Sequence, residues 1–287
     1  MGNIASFFSA LFSPDFPFVR NAFFAGALSS ILFGLLGSVV TVKRIASLAG
    51  AISHAVLGGI GIALYLSATG KVPHLSPMVG AIIFALLSAL LIGTASLKSK
   101  QREDTVIQAI WAIGMSIGVL FMAKTPGYSD PSSYLFGNIL LISAQDLWLL
   151  LALDIVVIIL ISRFYAQLEA TAFDEEFAQV RGIPTQAVFL VILAVTAIAV
   201  VLLQTFVGIV MVIAMLTLPA GTAGFSAKNL AMMMVSSTIY SFIFSTAGLA
   251  AGWAFDAPVG AMVVVIAGLF YLGMLLFNAL KKRRRRS

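Results

Sequence analysis

The sequence contains no cysteine, and only 10% of its 287 residues are charged. The first absence removes disulfides, cysteine-ligated zinc and thiol nucleophiles, and leaves the redox compartment open. The second excludes a water-soluble fold, because globular domains carry about 25% charged residues. Signatures of hydrolytic sites are lacking too: there is no His-Glu-x-x-His, no Gly-x-Ser-x-Gly and no pair of aspartates within the apolar runs. No enzyme is therefore expected, and no catalytic residue or resident cofactor is assigned.

What the chain has in abundance is apolar length. It is 61% hydrophobic, with a mean hydropathy of +1.08. Hydrophobic runs occupy 19–42, 45–66, 77–97, 105–123, 145–163, 184–204, 205–225, 229–252 and 257–280. Each approaches the ~20 residues a helix needs to cross a bilayer. The runs are continuously apolar, without the period-2 alternation of a membrane β-barrel. The expected fold is all-α and polytopic, with about nine transmembrane helices at this length. No stretch between runs exceeds about 20 residues, too few for an ATPase domain. Residues 1–18 are expected to form an amphipathic lead-in, 19–280 a single transmembrane domain, and 281–287 a basic tail.

Charge fixes an orientation. With the N-terminus outside, fourteen of the seventeen basic residues fall in cytoplasmic segments, leaving only Arg20, Lys71 and Lys124 outside. The weakest boundary is 204–205, where Gln204, Thr205 and Gly208 are the only turn signals. Merging the runs on either side would place Lys228 and the Lys281–Arg286 tail outside, so the charge rule favours nine spans and a cytoplasmic C-terminus. The net charge of +6 then reports orientation and contact with anionic lipid, not a nucleic-acid partner.

Two ionisable side chains stand inside the runs. His54 is the tenth residue of the second run and Asp154 about the ninth of the fifth, so each lies roughly 13–15 Å deep at ~1.5 Å per residue. The two runs cross in opposite senses, which brings both residues near the midplane. Buried charges and imidazoles are costly and face cavities or partners. An imidazole and a carboxylate at one depth suit a divalent first-row metal. The bland alternatives are a neutral histidine bonded between helices and a protonated or backbone-bonded aspartate. His74, beside Pro73 in an external loop, reads as a solvated side chain. Small residues crowd the second run (Gly50, Ala51, Ser53, Ala55, Gly58, Gly59, Gly61), as close helix packing requires.

Most other acids read as caps: Ser143 with Asp146 has capping-box spacing, and Asp130 and Asp256 precede helices as N-caps or turn initiators. The stretch 168–184 differs. Thr171 is spaced to cap near Asp174, Glu175 and Glu176 fill the first turn, and Gly182 and Pro184 end it. Phe173, Phe177 and Val180 recur at helical spacing. A short amphipathic helix over about 171–182 is expected, either a connector on the membrane surface or a docking helix for a partner's groove.

These residues resemble a known family, the membrane permeases of zinc, manganese and iron ABC importers. The likeness covers nearly the whole chain. It rests on Lys43-Arg44 leading to Ser53-His54, on Arg102-Glu103-Asp104-Thr105, on Tyr134-Leu-Phe-Gly-Asn-Ile-Leu with Asp146-Leu147, and on Asp174–Pro184. Val207-Gly208, Leu218-Pro219-Ala220 with Thr222-Ala223, and Asp256-Ala257-Pro258-Val259-Gly260-Ala261 complete it. The resemblance implies a type II ABC importer-like permease in the cytoplasmic membrane of a prokaryote. It further implies a dimer with a second permease subunit (identical or different), cytoplasmic ABC ATPase subunits and an extracytoplasmic metal-binding protein. The transported ion would be zinc, manganese or iron. Phe173, Asp174, Glu175, Glu176, Phe177 and Gly182 would lie in the ATPase-coupling helix, and His54 in the metal site. The family pattern places an aspartate four residues before that histidine; here the position is Gly50. Asp154 is the expected source of the missing carboxylate, with a partner subunit as the competing source. Outside this family, the alternative is an ATP-independent secondary transporter or channel for a cation, which needs no coupling helix.

Overall fold

The computed structural model describes residues 4–98, 103–127, 134, 137, 139 and 142–284. Every regular element among them is helical. In chain order these are α1 (Ile4–Phe12), α2 (Pro17–Val42), α3 (Ala46–Ala68), α4 (Pro77–Lys98), α5 (Glu103–Lys124) and α6 (Ala144–Arg163). After two short helices, α7 (Tyr165–Phe173) and α8 (Glu175–Val180), come α9 (Thr185–Val207), α10 (Ile209–Gly224), α11 (Leu230–Phe255) and α12 (Val259–Arg284). Eight of these are long and apolar enough to cross a membrane.

The seventh hydrophobic run, 205–225, departs from expectation. It forms α10, 16 residues long, short of the ~20 of a full crossing. The break before it falls at Gly208, not at 204–205. Gly208 has φ 84°, a left-handed conformation open to glycine without a steric penalty. Inside α10, Pro219 withdraws a backbone donor.

Caps account for several helix starts. Asp146 accepts from the Ser143 amide (2.9 Å) and hydroxyl (2.6 Å), while its own amide donates to Ser143 Oγ, the reciprocal arrangement expected at the head of α6. Asn229 caps α11 by accepting from the Met232 amide. Asp256 is not an N-cap: it closes α11 as a left-handed C-cap at φ 52°. Asp130, Lys100 and Arg102 lie outside the described residues, as does most of the 134–140 segment and the last part of the basic tail.

The helices form two compact units. The first holds residues 1–42, 136–163 and 206–287, and the second 43–135 and 164–205. In the first, α2 is buried on nearly all sides and packs against α6, α10 and α11. A methyl group at Gly34 would strike the Thr238 backbone on α11, and one at Gly37 the Leu216 carbonyl on α10, so missing side chains set the helix approach here. In α1, Phe7 is buried while Phe8 and Phe12 are exposed, and Trp253 Nε1 donates to Ser6 Oγ at 3.2 Å. In the second unit α3 packs between α4 and α5. A methyl at Gly59 would collide with the Gly80 carbonyl of α4, and one at Gly61 with Gly118 of α5. These glycines serve packing.

Candidate metal site and coupling segment

His54 stands on α3 with its ring half-buried. Its Nδ1–H donates to the Gly50 carbonyl at 2.9 Å, which leaves Nε2 as the nitrogen with a lone pair. Metal-binding histidines are oriented in this way, by a backbone carbonyl on the other ring nitrogen. The neighbouring Ser53 turns away and donates to Ala49 O at 2.8 Å. On the other side stands Trp111 of α5, its ring centroid 4.7 Å from the imidazole and tilted by 40°.

Trp111 was not singled out from sequence, although a signal existed. His54 lies eight residues past the start of α3, and Trp111 eight past the start of α5. The two helices run side by side in the same sense, since Ala55 approaches Gly114 and Leu57 approaches Gly118. Equal depth on parallel neighbours was therefore predictable; which faces met was not.

Gly50 is unlike the other glycines of α3. A Cβ there meets nothing within 4 Å. The position where the family pattern carries an aspartate is open space one helical turn from His54, so no packing requirement explains the glycine.

Asp154 belongs to the first unit and His54 to the second, and each is characterised in its own surroundings. Asp154 is 1% exposed. It forms, with Leu150, Val157 and Ile161, the buried stripe of α6, the helix that packs on α2. Among the described residues neither carboxylate oxygen has a hydrogen-bond partner, a costly state for an ionised group. Among the described residues, no group of three or more His, Asp or Glu is placed to hold a metal ion. A cavity of about 820 Å³ in the first unit, lined by Phe7, Val19, Leu249, Trp253, Phe255 and Asp256 among others, includes neither residue.

The 168–184 stretch is not one helix beginning near Thr171. Asp174 is extended (φ −148°, ψ 97°) and divides it into α7 and α8. Thr171 caps nothing ahead of it; its hydroxyl donates back to Gln167 O at 2.8 Å. Asp174 itself is the cap, accepting from the Phe177 amide at 2.9 Å, with Glu175 and Glu176 in the favourable first turn. Phe173 and Phe177 thus belong to different helices, and both are exposed, as is Val180. The Arg181 guanidinium covers the Phe177 ring at 5.0 Å. Gly182 ends α8 at φ 78°, its amide donating to Gln179 O.

Comparison with known proteins places these features in a wider group. Residues 15–278 match the model of the ABC 3 transport family. The chain is 36% identical over 270 residues to a probable metal transport system membrane protein of Chlamydia muridarum, covering 93% of this chain and 92% of the relative. It is 32% identical over 280 residues to the manganese transport system membrane protein MntC of Halalkalibacterium halodurans, covering 97% and 92%. Among solved structures, PsaBC from Streptococcus pneumoniae in complex with Fab matches with a TM-score of 0.82 and 29% identity over 95% of each chain.

Proposed function

Because the chain belongs to the ABC 3 transport family, we propose that it forms the membrane pathway for uptake of a divalent transition metal, driven by ATPase subunits on separate chains. Manganese is the first choice over zinc and iron. Named relatives transport manganese, and a site of one imidazole completed by carboxylate, carbonyl or water oxygen suits that ion.

The observation that carries this reading is the His54 imidazole, held by Gly50 with Nε2 free to coordinate, inside an apolar helix. His54 would contact the ion as it passes. Asp154 would supply a carboxylate, its buried oxygens being the kind of acceptor that a divalent cation satisfies. The permease would pair with a second permease subunit, receive metal from an extracytoplasmic binding protein and sit in a prokaryotic cytoplasmic membrane with its basic tail inside. Phe173 and Phe177 would seat in the ATPase partner, and Asp174, Glu175, Glu176 and Gly182 would hold the shape of that segment.

The test is uptake of manganese, zinc and iron(II) by vesicles containing the permease with its ATPase and binding protein. ATP-dependent uptake lost in His54→Ala supports the reading. Uptake that runs equally without ATP would instead establish a secondary transporter or channel.

A further inference from the structure

The break at Asp174 leaves the carbonyl of Thr171 without its helical donor. In an unbroken helix that oxygen would accept from the amide of residue 175, but Glu175 starts a new helix. The vacancy is filled from far away in sequence: Lys43 Nζ donates to Thr171 O at 3.1 Å. A cation at the last turn of α7 is also favoured by the helix dipole. Burial holds the Lys43 ammonium below its ordinary pKa, and the Glu175 carboxylate, the first residue of α8, offsets part of that effect. One side chain thus bonds the end of α7 and is attracted by the carboxylate that opens α8.

Lys43 stands three residues before α3. Only Arg44, in a left-handed turn at φ 58°, and Ile45 intervene. The Ile45 carbonyl already accepts from Ala49, so there is little slack between the ammonium and the helix that carries His54. Lys43, α3, α7 and α8 all belong to the second unit.

We propose that Lys43 is a positioning residue that ties the α7–α8 segment to the start of α3, so that displacement of α8 is passed to the helix bearing His54. The inference rests on the reading of α8 as the ATPase-coupling element. It assigns the mechanical link to a lysine outside both the proposed metal ligands and the proposed coupling residues. Another connection of α8, Gln179 Nε2 donating to Thr185 Oγ1 at 3.0 Å, leads to α9 and would be a different route.

The test uses the permease reconstituted with its ATPase and binding protein. In Lys43→Met, metal-stimulated ATPase activity and uptake are expected to fall about tenfold, the size of one lost charge-assisted hydrogen bond. Basal ATPase activity is expected to remain, and Lys43→Arg, which can still donate, is expected to restore coupling. Stimulation and uptake within twofold of the unmodified complex would overturn the proposal. Absence of ATP-driven uptake in the unmodified complex would instead overturn the transport reading. Amide exchange on the purified permease supplies an arm that needs no partner. Lys43→Met should speed exchange both at the Phe177 amide of α8 and at the Ala49 amide of α3; faster exchange at Phe177 alone would also overturn the link.

Discussion

The Nδ1–H of His54 donates to the carbonyl of Gly50, one turn earlier on the same helix, across 2.9 Å. That bond leaves Nε2 as the nitrogen with a free lone pair, beside a position whose absent side chain would meet nothing within 4 Å. Gly50→Asp is therefore expected to place a carboxylate next to His54 without a steric penalty. One added ionic ligand should tighten metal binding about tenfold, equivalent to ~1.4 kcal/mol. Isothermal titration of the detergent-solubilised permease with manganese measures it, and an unchanged affinity would show that the open space is not at the metal site.

The same comparison predicts opposite effects on stability along α3. Gly50→Ala fills open space and removes helix-destabilising backbone freedom, so a gain of about 0.5–1 kcal/mol is expected. Gly59→Ala drives a methyl into the Gly80 carbonyl, and overpacking of that kind costs about 1–3 kcal/mol. Thermal unfolding of the two variants in the same detergent should move in opposite directions.

These contrasts show what could be read from residues alone. Continuous apolar length and basic residues at the edges were enough for an all-α membrane bundle, and the Ser143–Asp146 box was recognisable because capping is local. The Gly208 break was misplaced by a few residues because one glycine with positive φ outweighs the weak polar signal of Gln204 and Thr205. The division at Asp174 was hidden because the Phe173, Phe177 and Val180 spacing fits one helix as well as two. The contacts of Trp111 and Lys43 were missed for another reason: each meets a partner on a distant segment, and depth arithmetic gives level but not facing. Gly50 could be recognised as a departure, but only packing distinguishes it from its neighbours.

Asp154 offers a sharper test of the metal site. Asp154→Asn preserves volume in the buried stripe of α6 while removing the charge, so the fold should persist. If Asp154 is the carboxylate ligand, uptake should fall with the substitution as it does in His54→Ala. Uptake intact in Asp154→Asn but abolished in His54→Ala would remove Asp154 from the site and favour a carboxylate from a second subunit.

The cap of α8 has its own consequence. Asp174→Ala leaves the Phe177 amide without its acceptor, and loss of such a cap costs about 1 kcal/mol. Exchange of the Phe177 amide is expected to quicken about fivefold as the six-residue helix frays. Retention of the ATPase subunits during purification should weaken in parallel. Unchanged exchange would mean that α8 is held by its contacts and not by its cap.

Trp111 offers an optical test of whether an ion binds at His54. The chain has three tryptophans, at 111, 148 and 253, so Trp148→Phe with Trp253→Phe leaves Trp111 as the sole emitter. Its ring lies 4.7 Å from the imidazole, close enough for a paramagnetic ion on Nε2 to quench it. Manganese should therefore quench Trp111 emission and zinc should not, although zinc should compete. Adding His54→Ala should abolish the manganese effect without changing the emission of the metal-free protein by a comparable amount. Emission that ignores saturating manganese, in a protein whose transport still needs His54, would place the ion elsewhere and leave the histidine a structural role between α3 and α5.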